Sequence, residues 1–248
     1  MAILLVVLTA ALGQTAAPPP SFDVASVKPS TDAGELLNIN LGTAVHGVVT
    51  LRNTTLSECI QFAYNLSSED LISGPDWLRD RKLRVDIEAK APPVTPFNQL
   101  LLMMQGLLAE RFQLVLHHEP RPMKHLDLTV AKGGLKLVAA KGEGPSNRIY
   151  YGRGRLNYTR LSMPRLALLL SRQLKQVVVD RTSMAGAYDV NLEWSPDEAA
   201  PAGSDATEPA APGIFKAIQR QLGLALEVGK EPVDILVVDR AEKVPIGN

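Results

Sequence analysis

Apolar positions along this chain switch repeatedly between the spacing of a helix and the alternation of a strand. Residues 22–27 alternate and are closed by Lys28-Pro29-Ser30, which predicts a first strand, followed by a loop over 31–47 and a short strand over 48–51. Leu56, Cys59, Ile60 and Ala63 then recur at intervals of three and four, one face of a helix, with Thr55 placed as its N-cap. Residues 83–89 alternate again as a half-buried strand. Phe97, Leu100, Leu101, Met104, Leu107 and Leu108 keep helical spacing for three turns, with Thr95 as cap and Pro96 at the first helical position. Strands over 112–116 and 126–130 follow, separated by Pro120 and Pro122 and readable as a hairpin.

The pattern then starts over. Residues 139–155 are rich in Gly and read as an exposed connection; a strand over 156–158 leads to Ser162 as cap and a stripe of Met163, Leu166, Ala167, Leu170 and Leu174. Strands over 177–179 and 188–194 come next, and the chain closes with a helix over 214–222 and strands over 224–227 and 233–239. Leu56-Ser57-Glu58-Cys59-Ile60 with Val85-Asp86-Ile87 lines up with Met163-Pro164-Arg165-Leu166-Ala167 with Tyr188-Asp189-Val190. In the same way Phe112-Gln113-Leu114-Val115-Leu116 lines up with Leu222-Gly223-Leu224-Ala225-Leu226. Each unit is too small to bury its own apolar face and must pack on its neighbours.

The expected architecture is α+β, a tandem duplication of small helix-on-antiparallel-sheet units, two halves of two units each. The first half spans 21–138, the connection 139–155, the second half 156–243 and the tail 244–248. Within the second half, 195–212 is Ala, Pro, Asp, Glu and Gly, too poor in apolar side chains to order itself, and reads as a flexible linker. No strand runs into a G-x-G-x-x-G helix start, which argues against a doubly wound nucleotide fold.

Composition adds exclusions. Twenty-six basic and twenty-six acidic residues balance, so no long-range field draws the chain to nucleic acid or an anionic membrane. Arg79, Arg81 and Lys82 are diluted by Asp76 and Asp80 and read as solvated turn residues. Residues 1–20 read as a signal peptide with a Pro-rich leader: the apolar run from Ile3 to Leu12 is too short for a permanent span, which takes about twenty residues, and small residues suit cleavage after Gly13, Ala16 or Ala17. No Lys or Arg precedes that run. A periplasmic or secreted protein is expected. Cys59, the single cysteine, allows no internal disulfide and falls on an apolar stripe, as a packed thiol does rather than a nucleophile.

Six blocks carry a resemblance: Phe22-Asp23-Val24-Ala25-Ser26-Val27-Lys28-Pro29-Ser30, Gly74-Pro75-Asp76-Trp77-Leu78, Leu108-Ala109-Glu110-Arg111-Phe112, Val178-Val179-Asp180-Arg181-Thr182, Tyr188-Asp189 and Gly223-Leu224. Together they resemble an exported family of unknown function, known chiefly from soil bacteria such as acidobacteria, whose domain is also attached to membrane metallopeptidases of the penicillin-sensor type. The resemblance implies export and a shared fold but carries no activity. Where this chain has Ser183 the family often has Gly, and where it has His118 Arg is common. The last unit is also similar to the short N-terminal modules of secretins and TonB-dependent receptors, which bind protein partners.

Candidate chemistry is sparse. His117-His118-Glu119, with His125 lying across the expected hairpin, is the only cluster in the sequence with metal-ligand chemistry; neighbours on a strand point to opposite faces, so His117 and His118 cannot both reach one ion without a bulge. His46 sits in a loop. Asp180 and Asp189 flank a Gly turn and could act as acid and base if their environments differed, but Asp86 stands at the position of Asp189 in the other half, which favours a repeated, turn-orienting hydrogen-bond acceptor. Ser57, Ser162 and Ser183 read as cap and turn residues. Trp77 beside Gly74 and Pro75 is a packing residue or, if exposed, an anchor for a partner. The leading expectation is a non-enzymatic binding module of the cell envelope, its partner an unknown envelope protein or small ligand, docked on a sheet edge or a groove between units, with no cofactor and no nucleic acid. The rivals are an exported hydrolase of an envelope or polymer substrate, and a ligand-sensing partner of a membrane protein.

Overall fold

A computed structural model describes residues 19–31, 38–39, 47–142, 147–152, 154–195 and 213–247; the expected signal sequence, His46 and nearly all of the expected linker lie outside the described residues. In chain order the strands and helices are β1 (Val24–Pro29), β2 (Asn38–Ile39), β3 (Val48–Thr55), α1 (Leu56–Ala63), β4 (Ile72–Ser73), β5 (Arg84–Lys90), α2 (Phe97–Phe112), β6 (Val115–Arg121) and β7 (Leu126–Val130). They continue as β8 (Val138–Ala139), β9 (Asn147–Gly152), β10 (Arg155–Leu161), α3 (Met163–Leu174), β11 (Val178–Asp180), β12 (Tyr188–Glu193), α4 (Ile214–Ala217), β13 (Leu224–Val228) and β14 (Val233–Arg240). The mixture is α+β. Short 3₁₀ turns, Glu69–Leu71 and Asp76–Arg79, flank β4, and α4 runs on into a π-helical turn, Ile218–Leu222.

Local chemistry explains most boundaries. At α1 the Thr55 hydroxyl accepts from Glu58 N–H while the Glu58 carboxylate accepts from Thr55 N–H, a reciprocal cap that satisfies two orphan donors. Thr95 does not cap α2: its hydroxyl donates to the Pro92 carbonyl, and Pro96 takes the cap position. Ser162 sits at the N-cap of α3 without a side-chain bond, Pro164 doing the pre-organising. Phe112, expected to open a strand, instead closes α2, because Gln113 enters the left-handed region at φ 50° and β6 starts only at Val115. Gly223 does the same after the π turn at φ 68°, where a Cβ would lie 2.6 Å from Lys136 N. The stretch expected as a plain connection, 139–155, carries β9 and the end of β8.

Two four-stranded antiparallel sheets share one order relative to the chain. The first runs β1-β5-β3-β2 and the second β8-β12-β10-β9, with α1 following the third strand of the first set and α3 the third strand of the second. Two three-stranded sheets complete the fold, β4-β14-β6 and β11-β7-β13. Each has a central strand with one parallel and one antiparallel neighbour.

The hairpin expected between 112–116 and 126–130 therefore does not form. β6 pairs with β14, His118 opposite Leu236 and Val237 opposite His117, while β7 pairs with β13, Leu128 opposite Leu226. The halves exchange their last strands. The reason lies in burial: Val233, Ile235, Leu236 and Val238 bury both faces of β14, which needs two neighbours, whereas β6 is mostly exposed and polar and contains Pro120, as suits an edge.

The cores interlock accordingly. Leu236 and Val238 of β14 join Leu51, Ile60, Ile87, Met104, Leu108 and Phe112 in the first core, while Leu126 and Leu128 of β7 join Leu156, Met163, Leu166, Leu192 and Leu224 in the second. Val233 and Ile235, on the other face of β14, meet Leu71 and Val177 in a smaller cluster between them. No helix among the described residues is long and apolar enough to cross a membrane.

Candidate functional site

The carboxylates at matched positions of the two halves do the same conformational job. β3 loses register with β5 between Leu51 and Thr54, and β10 loses it with β12 between Tyr158 and Leu161. At each bulge one residue turns left-handed, Asn53 at φ 54° and Arg160 at φ 58°. Its N–H then donates to a carboxylate across the sheet: Asn53 to Asp86 Oδ1 at 2.7 Å, Arg160 to Asp189 Oδ1 at 3.1 Å. Arg84 adds a guanidinium bond to the Asn53 carbonyl. Asp180, on β11 of a different sheet, accepts from its own turn, from Thr182 N–H at 2.9 Å and from the Thr182 hydroxyl at 2.7 Å. Asp180 and Asp189 thus stand in separate sheets, each engaged by backbone.

The histidines are dispersed as well. His117 Nδ1 lies 2.9 Å from Asp239, and His118 Nδ1 lies 2.7 Å from Asp234, the two rings on opposite faces of β6. Beside His117, Glu119 accepts both forks of Arg121, a bond that holds its carboxyl below the usual range. His125 is buried; its Nδ1 faces the Met123 carbonyl at 2.9 Å, so that nitrogen donates, and its Nε2 lies 3.2 Å from Asp127 without the alignment of a hydrogen bond. Among the described residues no three His, Cys, Asp or Glu side chains converge on one metal position.

The remaining candidates are held by packing. Trp77 is half-buried against the first core with the Lys243 ammonium 5.8 Å from its ring centre. Gly74 is small for a reason: a Cβ there would lie 2.6 Å from Leu78 Cδ1 and 3.0 Å from Val238 Cβ, against the exchanged strand. Pro75 is exposed at the N-cap of the following 3₁₀ turn. Cys59 is fully buried, and desolvation, outweighing the Thr54 hydroxyl 3.3 Å away, pushes its thiol up to about 12. Ser57 is buried with no hydrogen-bond partner for its hydroxyl among the described residues, Ser162 is half-buried, and Ser183 is exposed in the left-handed region at φ 57°. Arg79, expected to be solvated, donates to the carbonyls of Glu69 and Ile72 and pins β4.

What the structure does assemble is a trough on the outer face of the first sheet. Val24, Ser26 and Lys28 of β1, Asp86, Glu88 and Lys90 of β5, and Val48 and Arg52 of β3 line about 600 Å³. The register explains the lining, since Lys28 lies opposite Asp86, Ser26 opposite Glu88 and Val24 opposite Lys90. Arg52 and Glu88 pair at 3.0 Å and Asp86 holds the bulge, so its carboxylates are spoken for. Lys28 and Lys90 make no ion pair among the described residues. These residues were not among the sequence candidates; their signal was the polar half of each strand's alternation, visible only once the three strands are known to be neighbours.

No curated protein and no solved structure matches the chain. A family model does match, over residues 57–241, ending on the residue after β14, so both exchanged strands lie inside the matched region. The chain belongs to the family described as a protein of unknown function, DUF3738.

Proposed function

We propose that the protein is an exported, non-enzymatic binding module of the cell envelope, and that its ligand is an extended acidic segment of an envelope protein lying along the trough of the first sheet. The observation that carries this reading is the contrast between committed and uncommitted charge. Asp86, Asp180 and Asp189 are engaged by backbone donors and Glu88 by Arg52, whereas Lys28 and Lys90 line the same trough and make no ion pair among the described residues. A hydrolase reading needs Asp180 and Asp189, or His117 and His125, to share one cleft; the aspartates stand on strands of different sheets, and His117 faces Asp239 of β14 while His125 is buried beside Asp127 of β7.

The short apolar leader and the resemblance to a soil-bacterial exported family support the reading of export; the attachment of the resembled domain to penicillin-sensor-type metallopeptidases supports a role in sensing or docking rather than chemistry. The shared strand order and the matched bulges at Asn53 and Arg160 support a duplicated ancestor. The test is fluorescence anisotropy with a labelled peptide alternating Glu and Thr, against wild type and the Lys28→Glu/Lys90→Glu variant. Binding that weakens with salt and disappears in the variant, whose melting temperature stays unchanged, is expected. Absence of binding to wild type, or equal binding to the variant, overturns the reading.

A further inference from the structure

A second feature lies in the crevice between the halves. Gln61, Ser67, Ser68 and Glu69 of the first half and Ser171, Arg172 and Lys175 of the second line about 350 Å³, within the size range of small-molecule sites, about 300–1,000 Å³. Arg165 and Arg172 stand two turns apart on α3 and so share a face. Arg165 is satisfied: its guanidinium donates to Asn65 Oδ1 at 3.1 Å and sits 5.6 Å from the Phe97 ring centre.

Arg172 is not. Its side chain is half-buried, and among the described residues it has neither a carboxylate nor a hydrogen-bond acceptor as partner. Burial first, and then the positive charge of Arg165, push its guanidinium below the ordinary arginine value, against a smaller opposing effect of the Tyr151 and Tyr158 phenols. Among the described residues the crevice's one carboxylate is Glu69, which lies 3.7 Å from Arg79. Two of its hydroxyls are also spoken for, since Ser68 donates to Asp70 and Ser171 donates to the Ala167 carbonyl. The donors left over belong to Arg172, Lys175, Gln61 and Ser67. Half-burying a cation beside a like charge is costly unless an anion answers it, and a planar guanidinium fork matches the paired oxygens of carboxylate or phosphate.

We infer that this crevice between α1 and the end of α3 binds a small oxyanion, with Arg172 as its principal contact and Lys175 at its rim. The site is built from other elements than the trough, so either can fail alone.

The test replaces sodium chloride by sodium phosphate, and in a second arm by sodium acetate, at constant ionic strength, and follows melting temperature and calorimetric heat. Wild type is expected to melt higher in at least one arm and to give saturable heat; Arg172→Gln is expected to weaken that binding at least about tenfold and Lys175→Gln by a smaller factor. The Lys28→Glu/Lys90→Glu variant is expected to respond like wild type. If Arg172→Gln does not fold, the Nε–H resonance of Arg172 in the wild-type protein must move on titration with the same anions. A wild-type melting temperature indifferent to both anions, an unchanged response in Arg172→Gln, or a stationary Arg172 resonance overturns the assignment.

Discussion

Replacing Leu236 by Ala tests the strand exchange directly, because Leu236 belongs to the last strand yet is buried in the first core at 1% exposure. The substitution removes three carbons at about 0.8 kcal/mol each, or ~2.4 kcal/mol of transfer free energy. The cavity left behind brings comparable core truncations to about 2.7–5 kcal/mol, so ~3 kcal/mol is expected. For a chain of this size each kcal/mol shifts the melting temperature by about 2–4 °C, which predicts a fall of ~6–12 °C. Hydrogen exchange locates the loss: amides of β3, β5, α1 and α2 are expected to lose protection first, and those of β7, β10 and α3 last. Leu128→Ala, fully buried in the second core, gives the mirror image. A loss below about 1 kcal/mol, or protection lost around β7 and β13 with the first sheet unchanged, refutes the pairing. A covalent check is a cysteine pair at His117 and Val237, which face each other across the ladder. Opposite residues of an antiparallel ladder fall within disulfide reach, about 4.5–5.5 Å between Cα atoms, so the pair is expected to oxidise to one cross-linked species.

Two further outcomes follow from backbone and burial. Ser183→Gly is expected to raise stability by about 0.5–1 kcal/mol, read as an increase in the urea midpoint at unchanged slope, because φ 57° costs a residue with a Cβ more than glycine loses in the unfolded chain; a fall in the midpoint would count against left-handed strain there. The Cys59 thiol has a folded value raised to about 12 from an ordinary 9.0, so the native state holds its proton more tightly than the unfolded state does. This contribution to stability is complete below pH 9 and falls away as pH rises toward 12. Labelling of Cys59 at neutral pH is accordingly expected to track global unfolding, and rapid labelling of the native protein would show the thiol to be accessible.

Helices and solvent-facing strands were legible because their information is local. The stripe Leu56, Cys59, Ile60 and Ala63 predicted α1, and the alternation over 83–89 predicted β5 to within a residue. Matching Asp86 to Asp189 pointed to a repeated turn-orienting acceptor; both do accept hydrogen bonds, but at bulges rather than turns, from Asn53 and Arg160 N–H about thirty residues away, which leave no local trace. Strand partnership was the larger gap. β6 could meet either β7 or β14 through equivalent backbone bonds, and the short stretch between β6 and β7 favoured the hairpin. What decides is burial on both faces of β14, a property written in Val233, Ile235, Leu236 and Val238 that also suits a buried strand in many other places. The trough was hidden for the same reason: polar positions on three strands become a lining only when register sets them side by side.

Since β14 sits between β4 and β6, a strand synthesised long after both of its neighbours is the one that seals the layer they begin. During synthesis these early segments must wait, their inner flanks bare, until β14 arrives, and closing so wide a loop slows that step of assembly. A chain truncated before Val233 would keep both flanks permanently open to self-association, so the integrity of the first half depends on a strand contributed by the second.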